Sequence, residues 1–381
     1  MDLIKGINIQ ANTVWTLLTN GKNAATVGIV ALLAASAGSP APADPITSPL
    51  ADAQLKQPHT KGRAELQREV DDLNTAVETS LQNGDYATAL SLSLQHLTLA
   101  LSLEPAGIGP EYLRARNLHA VLLQSMGHYS EAETIYQQVL RIAKVSLGTQ
   151  HPTYTASLNN LALLLIEMGR YEQAETLYRE LIAIDQNTKG EAHPDHAANI
   201  NTLALLLQGM GRYQEAEPLF RQALEITKNT AGETHPNYAS QLSNLALLLK
   251  DMNRYQEAEP LFRQALEIDR NALGEAHPYY ATDLNNLALL LNDAGRFNEA
   301  EPLFRQAMEI IRQALGEAHP NYAGGLNNLA TSLMHQEKWA EAEPLIEQAL
   351  EIFKTTLPAD HLHIANAERN LATIRARLAG E

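Results

Sequence analysis

Residues 235–276 read HPNYASQLSNLALLLKDMNRYQEAEPLFRQALEIDRNALGEA, and closely similar sequences start again at residues 277 and 319. Histidine marks the start of each copy at a constant spacing of 42 residues: His151, His193, His235, His277, His319 and His361. A fixed period of this size is typical of a stacked repeat array, in which each unit contacts only its neighbours. We therefore expect one structural unit copied many times, although the length alone would suggest two or three globular domains.

Each copy predicts a pair of helices, as the copy that begins at His151 illustrates. Pro152 suits the first position of a helix, and a residue before proline is held out of the α region, as an N-cap must be. An apolar stripe at helical spacing follows, formed by Leu158, Leu161, Ala162 and Leu165. Gly169 can adopt the left-handed conformation that ends a helix, and Tyr171 begins the second helix. The fourth copy has Asn253 at this turn, and the sixth has Glu337, for which we expect a looser turn.

Alanine recurs at two positions of every copy. It lies midway along the first helix (Ala162, Ala204, Ala246, Ala288, Ala330) and early in the second (Ala174, Ala216, Ala258, Ala300, Ala342). A methyl group at both positions lets two helices approach at the short end of the ~8–10 Å interaxial range. We expect the aromatic residue after each turn to fill the wedge between the helices (Tyr171, Tyr213, Tyr255, Phe297, Trp339).

Composition excludes several classes of function. The formal net charge is −16 and cysteine is absent. A nucleic-acid partner would need clustered Lys and Arg, and disulfides or thiolate metal sites would need cysteine. The repeating histidines are expected to be about 10 Å apart in neighbouring repeats, too far to share a metal ion. We find no glycine-rich phosphate loop, nucleophile elbow or paired catalytic carboxylates, so the sequence predicts neither an enzyme nor a cofactor.

Charged residues of the second helices are expected to be structural. Glutamate stands four residues before arginine in four of these helices, as Glu175–Arg179, Glu217–Arg221, Glu259–Arg263 and Glu301–Arg305. Pairs in this order stabilise a helix by about 0.3–0.5 kcal/mol each.

Residues 1–61 differ from the rest of the chain. Val27–Ala37 is an apolar run that is shorter than the ~20 residues of a membrane-spanning helix, and it ends in a small-residue pattern. The Pro-rich stretch 38–49 that follows predicts an extended tether. Three interpretations remain open for residues 1–37: a signal peptide cleaved near Gly38 in an exported or periplasmic protein, a membrane anchor, or a self-association segment of a cytoplasmic protein.

The remaining residues divide by their match to the repeat. Residues 62–105 predict a divergent first hairpin, in which Leu90, Leu92 and Leu94 alternate as in a strand, although the length of the run favours a helix. Residues 106–358 contain six regular units. Residues 359–381 predict a C-terminal helix, with Asp360 available to cap it, that covers the last unit around Trp339 and Phe353 as terminal repeats require.

The repeats resemble tetratricopeptide repeats (TPR) of the kinesin-light-chain type. The matching phrases in the sixth unit are HPNYAGGLNNLATSL and EKWAEAEPLIEQALEI, and units two to five carry close versions. The resemblance implies an all-α fold: a right-handed superhelix, or α-solenoid, of about seven TPR hairpins with a C-terminal capping helix, in which the first helices line a concave groove. The heptad coiled coil that joins kinesin light chains to the motor chain has no counterpart here.

Asparagines in the first helices are the main candidate site residues. They are Asn159, Asn160, Asn201, Asn244, Asn285, Asn286, Asn327 and Asn328, and Thr202 and Ser243 replace two members of the series. Asparagine is a mediocre helix former, so its repeated use in mid-helix calls for an explanation. Its amide can bind the backbone of an extended peptide, and the resemblance implies this role. The alternative is a ladder of amides that bond adjacent repeats to one another.

Further groove positions are expected to set specificity. They include Leu205, Leu247, Lys250 and Asn292, with negative charge from Glu167, Asp251 and Asp293 at the rim. A peptide with apolar anchors and some basic residues would suit this mixture. We therefore expect an adaptor or scaffold that binds extended peptides of a partner protein. The alternatives are a self-assembling protein in which residues 1–37 associate and the array is a spacer, and a regulatory subunit of an effector on another chain.

Overall fold

A computed structural model describes residues 62–359 and 361–380, which form fifteen α-helices and no strand. The fold of these residues is all-α, as predicted. The interpretations of residues 1–61 and the expected capping residue Asp360 lie outside the described residues.

The helices follow one another in pairs. The first pair is α1 (Arg63–Gln82) and α2 (Tyr86–Leu103), so the ambiguous run around Leu92 is helical. We number the six regular pairs as repeats 1 to 6: α3 (Pro110–Ser125) and α4 (Tyr129–Ser146), α5 (Pro152–Glu167) and α6 (Tyr171–Thr188), α7 (Pro194–Gly209) and α8 (Tyr213–Ala231), α9 (Pro236–Asp251) and α10 (Tyr255–Leu273), α11 (Pro278–Asp293) and α12 (Phe297–Leu315), α13 (Pro320–His335) and α14 (Trp339–Thr356). A single helix, α15 (Leu362–Ala379), follows.

The chain divides into two compact units. The N-terminal unit contains α1–α6, and the C-terminal unit begins at Lys189 and contains α7–α15. Within each unit every helix packs on the helix before and after it, and first helices of neighbouring repeats also contact each other. Second helices of neighbouring repeats in the same unit make no comparable contact. Each unit is therefore an α-solenoid stack in which the first helices form the inner side.

Turn residues end the first helices as the sequence predicts. Gly169 has a φ of 72°, and Asn253 and Glu337 both have a φ of 59°. Glu337 thus takes the same left-handed conformation as its counterparts, although a residue with a Cβ adopts it at a cost.

The alanines and the aromatic residues differ in their outcome. All ten recurring alanines are at most 1% exposed, which confirms the predicted close approach of the paired helices. The aromatic residues after the turns are only partly buried, so the expectation that they fill the wedge is wrong. A second aromatic set lies seven residues after the first residue of α4, α6, α8, α10 and α12 and is almost fully buried: Tyr136, Tyr178, Phe220, Phe262 and Phe304. These residues lie two turns inside the helix, where neighbours surround them on every side.

None of the helices in the described residues is long and apolar enough to cross a membrane.

Candidate functional site

The candidate site is the inner face of the first helices in the C-terminal unit, which are α7, α9, α11 and α13. Residues three or four positions apart on a helix share a face. In α11 the half-buried residues Asn285, Asn286, Leu289 and Asn292 follow this spacing, and Asp293 is exposed beside them. The repeat places equivalent side chains on the other three helices.

Amide pairs connect neighbouring first helices along this face. Asn244 Nδ2 donates to Asn201 Oδ1 at 3.0 Å, and Asn328 Nδ2 donates to Asn285 Oδ1 at 3.0 Å. A third pair joins α13 to α15, where Asn370 Nδ2 donates to Asn327 Oδ1 at 3.2 Å. In each pair the donor lies 43 residues after the acceptor. The sequence reasoning missed Asn370, although extending the series by one period into α15 would have found it.

Burial separates the asparagines into two groups. Asn201 is 5% exposed and Asn244 is 1% exposed, so this pair has little surface available to a partner. Removing one member would leave the other buried without its bond, which typically costs about 1–3 kcal/mol. This pair therefore fits the alternative to peptide binding, in which the amides bond adjacent repeats to one another.

Two asparagines of α11 form fewer hydrogen bonds within the fold than Asn201 and Asn244 do. Asn286 is half-buried and forms no side-chain hydrogen bond with any described residue. The residue 43 positions before it, where the other amides find their partner, is Ser243 in α9, whose hydroxyl donates to Asp283 Oδ1 at 2.9 Å instead. Asn292 is half-buried, and its enclosed Oδ1 has no hydrogen-bond partner among the described residues. The inner face of α11 therefore offers polar groups that the fold does not use.

Apolar side chains flank these amides. Leu247 and Leu289 are half-buried, as is Met334 at the C-terminal end of α13. Leu205, expected at the equivalent place in α7, is 3% exposed and belongs to the core. Apolar surface suitable for a partner thus extends over α9, α11 and α13.

Charged residues lie at the C-terminal ends of α9 and α11. Lys250 Nζ is 3.2 Å from Asp293 Oδ2 and 3.7 Å from Asp251 Oδ1, and Gln208 Nε2 donates to Asp251 Oδ2 at 2.7 Å. Burial alone would lower the pKa of Lys250, but the two carboxylates outweigh it and raise that pKa. Lys250 therefore stays charged, and the group of three charges carries a net charge of −1.

The N-terminal unit contains the other predicted asparagines and an unusual acid. Asn159 is half-buried and Asn160 is 4% exposed. Gln124 Nε2 donates to Glu167 Oε1 at 2.9 Å, and Tyr136 Oη donates to Gln124 Oε1 at 3.1 Å. Burial raises the pKa of Glu167 to about 7, although the bond from Gln124 opposes the shift.

Residues 62–359 and 361–380 contain no group of three or more His, Asp or Glu side chains arranged to hold a metal ion.

Solved structures similar to this chain are helical repeat proteins. BtubC (BKLC) from P. vanneervenii is 24% identical with a TM-score of 0.51, over 66% of this chain and 92% of that chain. A tetratricopeptide repeat protein from Parabacteroides merdae is 18% identical with a TM-score of 0.54, over 81% and 99%. A Podosopora anserina protein described as a kinesin light chain with nearly identical TPR-like repeats is 29% identical with a TM-score of 0.46, over 54% and 98%. No curated protein matches the chain.

The match to a family model covers most of the described helices. The tetratricopeptide repeat model matches residues 111–187, 195–271, 238–313, 279–323 and 323–381. Repeats of this family generally serve as non-catalytic scaffolds for protein interaction. The matched residues include every first helix of the candidate site, and the chain belongs to the tetratricopeptide repeat family.

Proposed function

We propose that this chain is an adaptor that binds an extended peptide of a partner protein along the inner face of α9, α11 and α13. The observation that carries the proposal is the presence of unbonded amide groups on the inner face of α11. Asn286 and Asn292 present amide groups that no described side chain or backbone group uses, whereas the equivalent Asn244 and Asn328 bond to the neighbouring repeat. An unused amide in a partly enclosed place is suited to the backbone of an extended chain.

The surroundings favour a peptide of a particular chemistry. Leu247, Leu289 and Met334 provide half-buried apolar surface for one or two apolar side chains. Asp251 and Asp293 outnumber Lys250, and Asp293 retains 42% side-chain exposure. A lysine or arginine of the peptide would complement this net negative charge. The proposed ligand is therefore an extended segment that combines apolar and basic residues.

Selection from a library of random peptides on the immobilised full-length chain tests the proposal. We expect enriched peptides to carry apolar and basic residues, and their affinity to be measured by fluorescence anisotropy. The double variant Asn286→Ala/Asn292→Ala should weaken binding by about 10-fold or more, because each hydrogen bond contributes ~0.5–1.5 kcal/mol. Its melting temperature should not fall, since alanine favours the helix and neither amide has a partner to lose.

Gln256→Ala on the exposed face of α10 is the matched control and should leave binding unchanged. Two results would reject the proposed groove: no peptide is enriched, or the enriched peptides bind the double variant as tightly as the native chain.

A further inference from the structure

Six histidines cap helices in the same way. His151, His193, His235, His277, His319 and His361 are the N-cap residues of α5, α7, α9, α11, α13 and α15. In each, the ring Nδ1 accepts a hydrogen bond from the backbone N–H two residues later, at 3.0–3.2 Å. The same bond thus recurs at the start of five successive first helices and of α15.

This geometry fixes the charge of the imidazole. A backbone N–H can only donate, so Nδ1 must keep its lone pair and the ring must be neutral with its proton on Nε2. Protonation of Nδ1 removes the acceptor and leaves one N–H at the helix start without its partner. It also places a positive charge at the positive end of the helix dipole. Capping and protonation therefore exclude each other at all six positions.

We propose that the six histidine caps act together as a pH-dependent device: acidification below neutral pH opens them at once and loosens the starts of α5, α7, α9, α11, α13 and α15. The sign follows from linkage. A cap that requires neutral histidine stabilises the fold fully above the unfolded-state value of about 6.5, and this contribution is lost as the pH falls below it. Because the caps are separate from one another, their contributions add.

Nearby carboxylates could oppose the effect by favouring protonated histidine, but basic residues engage several of them. Asp195 Oδ2 is 3.7 Å from His193 Nδ1, yet Lys189 Nζ is closer to that carboxylate at 2.7 Å. Glu233, two residues before His235, pairs with Lys228 at 2.6 Å.

At the fifth cap, Glu317 pairs with Arg312 at 3.3 Å, and burial lowers the pKa of His319. Asp195, Glu233 and Glu317 therefore each have a basic partner other than the histidine.

Aromatic rings lie beside two of the remaining caps. The His277 ring lies 4.9 Å from that of Tyr279, and Glu275 precedes it in the loop. The first turn of α5 after His151 contains no acidic residue. The His361 ring lies 4.9 Å from that of His363, whose pKa is lowered to about 4 by burial and by the proximity of His361. A charge on His361 therefore disfavours protonation of His363 in the folded chain.

Thermal unfolding of the full chain between pH 7.5 and pH 5 tests the device, using a variant in which all six histidines become asparagine. Asparagine is among the best N-cap residues and does not titrate in this range. We expect the melting temperature of the native chain to fall on acidification. The melting temperature of the variant should fall much less. Equal falls in the two chains would overturn the proposal.

His128→Asn is the matched control. His128 is the N-cap residue of α4, but its side chain caps nothing and its Nδ1 instead lies 3.3 Å from Glu131. The melting temperature of this variant should fall on acidification as much as that of the native chain. A smaller fall in this variant would contradict the proposal that the six caps cause the pH dependence.

Nitrogen NMR of the imidazole rings in the native full chain gives an answer that does not depend on the folding of any variant. We expect the Nε2–H tautomer, with an unprotonated Nδ1, at all six positions at neutral pH. The Nδ1–H tautomer at these positions would refute the device.

Discussion

At the scale of single residues, three glutamates of the second helices each bridge two repeats. Glu259 Oε1 accepts from Arg263 Nη2 at 2.7 Å, and its Oε2 accepts from Arg296 Nη1 at 2.6 Å. Glu217 and Glu301 repeat the arrangement with Arg254 and Lys338 of the following repeat. The pairing four residues apart could be predicted from the sequence and is confirmed. The second partner, 37 residues away, could not be predicted, because it depends on how closely two hairpins pack.

Replacing Glu259 by Gln should lower the melting temperature at pH 7 more than replacing Glu257, which pairs only with Arg254 and is 54% exposed. Burial alone would raise the pKa of Glu259, but the bonds from Arg296 and Arg263 lower it. The ion pairs therefore stabilise the fold above the ordinary value of 4.5, and their contribution is lost as the pH falls through the lowered pKa. Scanning calorimetry at pH 7 and at pH 3 measures both effects. A deficit that stays the same at pH 3 would contradict the electrostatic explanation.

At the scale of helices, α15 covers the last hairpin with a narrow face. Ile364 is 5% exposed and Ile374 is fully buried, and Ile364 contacts the cluster around Phe353 that forms the core of repeat 6. Leu378 and Ala365 are exposed. The buried stripe follows alternating steps of three and four residues; Ala365 falls beside it, whereas Leu378 continues it but lies in the last turn of α15, which ends at Ala379. We propose that α15 serves as the capping helix of the array.

Ile364→Ala should lower the free energy of unfolding by about 2–5 kcal/mol, the usual range for this truncation in a core. Leu378→Ala is the matched control and should change it by less than about 0.5 kcal/mol, because its side chain already contacts water. Urea denaturation followed by circular dichroism measures both values. Similar small losses in the two variants would show that α15 contributes little to the packing of repeat 6.

The periodicity of the sequence predicted most of the helices and their ends. It did not predict which side chains pair between neighbouring repeats. Histidine, proline and glycine mark where each helix begins and ends, and these local signals need no knowledge of neighbouring repeats. The asparagine series was visible too, but its division between bonded pairs and the unused amides of α11 was not. An amide finds its partner 43 residues away although the repeat length is 42, because neighbouring first helices are offset by one residue. A single sequence contains no measure of that offset.

At the scale of the whole molecule, the repeats of the C-terminal unit are interchangeable in principle. Deleting residues 235–276 removes one complete period of 42 residues and joins Thr234 to His277. Asn286 would then face Asn201, and Arg296 would face Glu217, so both bonding partners are replaced by equivalent residues.

We expect the shortened chain to remain helical and monomeric with a lower melting temperature, because a repeat array loses one set of neighbour contacts with each unit. Circular dichroism and size-exclusion chromatography check this outcome. An unfolded or aggregated product would mean that the repeats are individually specialised, and not equivalent as their sequences suggest.

Neighbouring repeats are bonded to each other both through their first helices and through their second helices, and this has a mechanical consequence. Within the C-terminal unit, at least one bond joins each pair of neighbouring first helices (Asn244–Asn201, Ser243–Asp283, Asn328–Asn285), and at least one joins each second helix to the start of the next (Arg254–Glu217, Arg296–Glu259, Lys338–Glu301). Bending one repeat against the next in either direction must stretch the bonds on one side. Under tension the stack should therefore behave as a stiff spring. Each contact between neighbouring repeats should deform by a small and similar amount before any of them breaks.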